Sequence, residues 1–133
     1  MTVRARRMGW GLTAVVGLFL GFDAVMKLVD HPEVAKTMTE LGVPTALDRP
    51  LGAVLAACLA LFLAPRTAPI GAVLLTGFLG GAVMVHARVG DPLASHTLFP
   101  VWVGAHAWAG LYLRDERVRR LVTNPNAVKG PNA

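Results

Sequence analysis

The sequence predicts an all-α fold, an integral membrane four-helix bundle. Hydrophobic residues make up 54% of the 133 residues and charged residues only 16%, whereas about 25% of the residues in soluble domains are charged. The apolar residues are also gathered into four blocks, at 8–29, 51–64, 68–85 and 98–113. Too little polar sequence remains between these blocks to cover a soluble domain. A disordered chain is excluded as well, because it would be rich in charge and poor in hydrophobic residues.

Each block is interpreted as one membrane-spanning helix. The first and third blocks have the required length, since a span needs roughly 20 apolar residues to cross a ~30 Å hydrocarbon core. The second and fourth contain only 14 and 16 residues, and each alone would also suit a buried core helix. Their occurrence beside two full-length spans favours the transmembrane interpretation.

Proline and capping residues divide the blocks. Asp48 or Arg49 is expected to begin the second helix, and Pro65 to end it. Thr67 and Thr97 are predicted N-caps of the third and fourth helices.

The segment 30–42 predicts a short amphipathic helix between the first two spans. Asp30 and Glu33 have the spacing of a capping box, and Gly42 is a natural residue just past a helix end. At helical spacing, one face of this segment is apolar: Val34, Ala35, Met38 and Leu41. We expect the helix to lie at the outer membrane interface or to cover the end of the bundle.

The distribution of basic residues predicts both termini on the cytoplasmic side of a cytoplasmic (inner) membrane. With this orientation, nine of the 13 lysines and arginines lie inside, as the positive-inside rule requires. The net charge of +5 is then a topology signal that also attracts anionic lipid, and nucleic-acid binding is not expected. Residues 1–122 are predicted to form one membrane domain, with 114–122 continuing the fourth helix, and 123–133 a disordered tail. The basic N-terminal segment lacks the small-residue cleavage pattern of a signal peptide and is expected to be retained.

Ionisable residues inside or beside the spans are the candidate functional residues, since they are costly in lipid. Asp23 and Lys27 lie four apart on one helical face. They would form either an internal salt bridge, with Lys27 reaching outward to the interface, or a ligand or proton site.

A second polar group surrounds the third connection. Residues 86–97 contain His86, Arg88, Asp91 and His96, which form either a ligand site or a merely solvated loop. His106 lies about 12 Å into the fourth span at about 1.5 Å per residue, where a buried imidazole would need a partner. With the predicted topology, one polar cluster in the outward-facing half holds all seven candidate ligand-binding residues: Asp23, Lys27, His86, Arg88, Asp91, His96 and His106.

A quinone is the cofactor that this cluster suits best. Histidine and arginine donate hydrogen bonds to carbonyl oxygens, and a carboxylate or histidine relays protons. A metal site is less favoured because the histidine spacing matches no recognised zinc pattern, and a haem site because the histidines on different spans lie at different depths. The sequence contains no nucleophile elbow, phosphate-binding glycine loop or dinucleotide fingerprint, so no catalytic residue is assigned.

Two pairs of glycines mark small-residue faces. Gly17 with Gly21, and Gly77 with Gly81, have the spacing that lets membrane helices approach closely. These faces would pack within the bundle or at a contact with another subunit, which predicts a homo-oligomer or a subunit of a membrane complex.

A resemblance to the DoxX-like membrane proteins runs through six segments: GFDAVMKL (21–28), LGVP (41–44), PRTAPIG (65–71), GGAVMVH (80–86), RVGDP (88–92) and HTLFP (96–100). It extends over roughly residues 9–122. The resemblance implies a four-helix integral membrane protein. The family is associated with the membrane subunits of an archaeal thiosulfate:quinone oxidoreductase, and other relatives are linked to oxidative-stress complexes or act as assembly factors. Two functions are therefore expected: a redox-associated subunit that binds a quinone or similar lipid, or a non-catalytic scaffold or assembly subunit.

Overall fold

The fold is helical throughout the part of the chain described by the structure, a computed structural model that covers residues 2–124 and residue 126. No strand occurs among those residues. The helices are α1 (Val3–Leu28), α2 (Pro32–Glu40), α3 (Asp48–Leu63), α4 (Ala68–Arg88), α5 (Phe99–Arg114) and α6 (Glu116–Thr123). A 3₁₀ turn at Thr45–Leu47 precedes α3, and a π-helical turn at Leu93–Thr97 precedes α5.

Three helical segments are long and apolar enough to cross a membrane: Val3–Leu28, Thr45–Leu63 and Ala68–Arg88. They correspond to the first three predicted spans. The fourth predicted span is α5, whose 16 residues fall short of that length. The fourth crossing and the orientation of the termini therefore stay predictions.

The four longest helices pack in a closed order. α1 packs against α3 and α5, and α4 packs against the same two helices, so that α1 and α4 lie diagonally opposite each other. Side chains that point between the helices form one core, which includes Leu20, Leu55, Phe62, Leu75 and Leu111. Large apolar side chains also cover the outer surface, as expected of helices that face lipid.

Close helix contacts occur at glycines other than the four that the spacing suggested. A Cβ atom on Gly71 would overlap the backbone of Phe62, and one on Gly52 would lie 3.0 Å from the backbone nitrogen of Leu28. Gly9 and Gly110 bring α1 and α5 together in the same way.

The predicted packing faces contribute less. Gly17 and Gly21 meet only the side-chain ends of Leu63 and Leu59, while Gly77 and Gly81 have open space within 4 Å. The prediction that Gly77 and Gly81 pack inside the bundle is therefore wrong. The alternative, a contact with another subunit, stays a prediction. The spacing of small residues identifies a helix face but not what that face meets.

Helix boundaries agree with the sequence in part. α3 begins at Asp48 and α2 lies within 30–42, both as predicted. His31 rather than Asp30 caps α2. Asp30 lies two residues past the end of α1 and has a left-handed conformation, with φ 56°. Thr97 does not cap α5, since it belongs to the π-helical turn and its hydroxyl donates to the Asp91 carbonyl at 3.2 Å.

The fourth helix does not continue through 114–122. Asp115 is extended, with φ −115° and ψ 112°, and separates α5 from α6. Of the tail predicted at 123–133, Thr123 is the last residue of α6. Residues 125 and 127–133 lie outside the described residues.

Candidate ligand site

A cavity of about 620 Å³ lies beside the C-terminal halves of α1 and α4. α2 and the first turns of α5 complete its walls. Most of its lining is apolar, and four phenylalanines contribute to it: Phe19, Phe22, Phe78 and Phe99. The rings of Phe19 and Phe99 meet edge to face, with their centroids 5.3 Å apart. This aromatic contact joins α1 to α5, and both rings are partly open to the surroundings, since Phe19 is 47% and Phe99 44% exposed.

α2 closes one side of the cavity with its apolar face. Val34 and Met38, together with Leu41 just after the helix, line the cavity, and Met38 and Leu41 are buried. Arg88, at the end of α4, holds this corner by donating from Nη2 to the Leu41 carbonyl at 2.8 Å. The apolar face predicted for the helix within 30–42 therefore covers the cavity. Of the two predicted placements, this agrees with the one over the end of the bundle.

Lys27 and Asp23 form an ion pair on the cavity wall. The Lys27 Nζ atom lies 2.6 Å from both carboxylate oxygens of Asp23. Only 14% of the Lys27 side chain is exposed. An ammonium group in this position carries three donors, of which Asp23 accepts at most two, so that a donor remains for a ligand.

His86 brings a hydrogen bond with Asp91 to the same cavity. Its Nδ1 atom lies 2.6 Å from Asp91 Oδ2, and because an ionised carboxylate only accepts, Nδ1 donates. The contact orients the ring and leaves Nε2 as the atom that a ligand or a proton can use. The ring of His96 lies beside it, with the two centroids 6.3 Å apart.

His106 lies outside this site. It is exposed on α5 and donates from Nδ1 to the Trp102 carbonyl at 2.6 Å, one turn earlier in its own helix. The buried positions of α5 include Ala107, Gly110 and Leu111. Residue 106 points about 100° away from that face at 3.6 residues per turn, which makes the expected burial of His106 wrong.

The structure thus divides the seven predicted residues. Three of them line the cavity: Asp23, Lys27 and His86. Asp91 and Arg88 lie at its margin, where they contact His86 and the Leu41 carbonyl. His96 lies next to His86, and His106 is separate. Among the described residues, no group of three or more histidine, cysteine, aspartate or glutamate side chains is arranged to hold a metal ion.

Asp48 is a polar residue of this region that the sequence indicated only as a helix start. Its side chain is 0% exposed, and in the described part of the chain neither carboxylate oxygen has a hydrogen-bond partner. Asp30 and Lys27 are its charged neighbours. No local pattern in the sequence indicated this burial, which depends on the contact of α3 with α1 near Gly52.

Comparison with known proteins identifies a family. The sequence profile of the DoxX-like family matches residues 11–110, which covers α1 from Gly11 onward, all of α2 to α4 and most of α5. No curated protein and no solved structure matches the chain. The profile spans about three quarters of the sequence, including the whole candidate ligand site. The chain belongs to the DoxX-like family.

Proposed function

We propose that this protein crosses the cytoplasmic membrane four times and binds an isoprenoid quinone, or a lipid of similar shape, in the cavity between α1, α2, α4 and α5. In this role it serves as a redox-associated membrane subunit. One observation carries the proposal: a largely apolar cavity has the Asp23–Lys27 ion pair on its wall and the His86–Asp91 hydrogen bond at its margin.

The arrangement of the two ends of the molecule supports the four-span topology. Arg117, at the start of α6, donates to the carbonyls of Pro65 and Arg66 in the α3–α4 connection. The α1 N-terminus borders the same region through Thr2 and Arg6. Basic residues are concentrated at this end and the cavity lies at the other, as expected for a cytoplasmic and an outward end.

The dimensions and chemistry of the cavity suit an amphiphile. Its volume of about 620 Å³ is within the range of about 300–1,000 Å³ found for small-molecule sites. The phenylalanines and aliphatic side chains would accommodate an isoprenoid chain or ring face, and the spare donor of Lys27 would bind a carbonyl oxygen.

His86 and Asp91 supply the proton chemistry that such a ligand requires. A quinone itself accepts the electrons, and the protein contributes hydrogen bonds and a proton. With Nδ1 of His86 held by the Asp91 carboxylate, Nε2 is the ring atom that would exchange a proton with the ligand.

A pair of matched glycine substitutions tests the proposal. Gly77 lines the cavity and Gly80 does not, and a Cβ atom at either position meets nothing within 4 Å. Gly77→Leu should therefore fill the cavity without disturbing the backbone, whereas Gly80→Leu adds the same side chain outside it. The protein is purified in native nanodiscs, and bound quinone is measured by mass spectrometry of an extract.

The expected result is near-stoichiometric quinone in the wild-type protein and in Gly80→Leu, and little in Gly77→Leu. Equal quinone content in all three proteins would contradict binding in the cavity. Phospholipid alone in the wild-type protein would contradict the quinone assignment.

The alternative function is a non-catalytic scaffold or assembly subunit. It is favoured by the open space around Gly80 and Gly81 on α4, a surface that another helix, from a second copy or a different subunit, can approach closely. This alternative predicts a stoichiometric protein partner after gentle purification, and its loss in Gly80→Leu. Recovery of a protomer without any partner would count against it.

A further inference from the structure

A second cleft, of about 440 Å³, lies at the opposite end of the molecule from the cavity. It is bounded by the start of α1, the α3–α4 connection and the junction of α5 with α6. Its lining is polar and charged to a large extent: Thr2, Val3, Arg6, Pro65, Arg114, Asp115, Glu116 and Arg117. None of these residues contributes to the proposed quinone site.

Arg114 is a buried cation at this cleft. Its side chain is 6% exposed, and its guanidinium carbon lies 4.5 Å from the ring centroid of Trp10 and 5.0 Å from that of Phe62. Nη2 donates to the Phe62 carbonyl at 2.7 Å, but within residues 2–124 Nε has no partner. A buried charge with an unsatisfied donor is costly unless an anion accompanies it.

The acidic residues of the cleft supply that anion only in part: Asp115 acts on Arg114 through its charge, but each carboxylate forms its direct ion pair with another arginine. Asp115 contacts Arg117 at 2.8 Å, and Glu116 contacts Arg120 at 3.3 Å. Burial alone would raise the pKa of Asp115, but the hydrogen bonds from Arg117 outweigh it and the pKa is lowered. Asp115 is therefore ionised at neutral pH and balances Arg117.

Two positive charges remain at the cleft, on Arg114 and Arg6. Neither forms an ion pair with any carboxylate of the described chain. The N-terminus of α1 adds to the positive potential, since Thr2 caps the helix there and the first backbone N–H groups face outward. The charge balance of the cleft therefore calls for one anionic group.

We propose that this cleft binds the phosphate of an anionic phospholipid. Arginine is well suited to phosphate, because its planar donors match the oxygen geometry. A lipid rather than a soluble phosphate is favoured because apolar side chains at the start of α1 are open to the surroundings: Val3, which lines the cleft, is 69% exposed, and Met8, two residues after Arg6, is 57% exposed. Acyl chains attached to the phosphate would cover these side chains.

The test uses Arg6 rather than Arg114, because replacing a buried arginine risks misfolding. Arg6→Gln removes a cation at the cleft, and Arg7→Gln removes an equal charge from a neighbouring exposed position that does not line it. Binding of phosphatidylglycerol to the purified protein in detergent is followed by native mass spectrometry. Phosphatidylcholine and inorganic phosphate are titrated as comparisons.

We expect one tightly bound phosphatidylglycerol per protein, about tenfold weaker binding in Arg6→Gln, and little change in Arg7→Gln. Phosphatidylcholine should bind more weakly than phosphatidylglycerol. An equal loss of phosphatidylglycerol binding in the two variants would show that only the net charge matters and would overturn the assignment of the cleft as the binding site. Inorganic phosphate binding as tightly as the lipid, with the same dependence on Arg6, would overturn the lipid as its source. Because quinone content is measured separately, failure of this proposal would not affect the proposal that the cavity binds a quinone.

Discussion

Lys27 has a structural role, in its ion pair with Asp23, and a proposed ligand-binding role at the cavity wall. Its ammonium group contacts both oxygens of Asp23 at 2.6 Å, while its stem packs against Gly52 of α3. The ion pair lowers the cost of keeping the charge away from water. The same contact fixes the remaining donor at the cavity wall, so that structural pairing and ligand binding are compatible there.

Replacing Lys27 should therefore reduce ligand binding. We expect Lys27→Gln to lower bound quinone about tenfold, because a hydrogen bond from a charged donor is lost. Lys36→Gln is the matched control, since Lys36 is exposed on α2 and does not line the cavity. Quinone content is measured after nanodisc extraction, with thermal unfolding as a check on folding. Similar losses in the two variants would argue against a role for Lys27 at the site.

Some residue contacts could be predicted and others not. The Asp23–Lys27 pair follows from spacing alone, because residues four apart share a helix face. The burial of Asp48 instead depends on how closely α3 approaches α1, which is a tertiary property. His106 shows the same limit: its depth along α5 was readable from the sequence, but its direction required knowing which face of α5 meets the other helices.

At the scale of the helices, glycine has opposite roles along α4. Gly71 lies against the backbone of Phe62, so α3 and α4 are in contact there without any intervening side chain. Gly80, nine residues later, has no neighbour within 4 Å. Nine residues correspond to two and a half helical turns, so the two glycines lie on opposite faces of α4, Gly71 against α3 and Gly80 on the exposed side.

Alanine substitutions should separate these two roles. We expect Gly71→Ala to reduce the free energy of unfolding by about 3 kcal/mol, because the added methyl group would force α3 and α4 apart. Gly80→Ala should be neutral or stabilising by up to about 1 kcal/mol, since alanine favours the helix. Unfolding in mixed micelles measures both. Equal stability of the two variants would contradict the close approach at Gly71.

Much of the helical architecture was predictable at this scale. The apolar blocks gave α1, α3, α4 and α5, and the pattern of 30–42 gave α2 within its limits. The ends of the helices were less predictable, because capping depends on local alternatives. His31 displaced Asp30 as the cap of α2, and the break at Asp115 followed from its side chain accepting from the Arg117 N–H at 2.9 Å.

For the molecule as a whole, the proposed topology separates two chemically different ends. Introduced cysteines test it, because the single native cysteine, Cys58, is buried. A membrane-impermeant maleimide added to intact cells should label Lys36→Cys at least about tenfold more than Arg7→Cys, since a polar reagent crosses the bilayer poorly. Opening the membrane should make the two equal. The wild-type protein is the control for background, and labelling of both variants from outside would contradict the orientation.

The contrast between Gly71 and Gly80 also has a consequence for how sequences of this type diverge. At Gly71 every other amino acid brings a Cβ atom into the backbone of Phe62. Substitution at this position is therefore not tolerated unless α3 moves as well. At Gly80 the surroundings accept a larger side chain without rearrangement. One face of α4 is thus constrained by its contact with α3, while the opposite face offers a position at which a related sequence can change its outer surface and retain the fold.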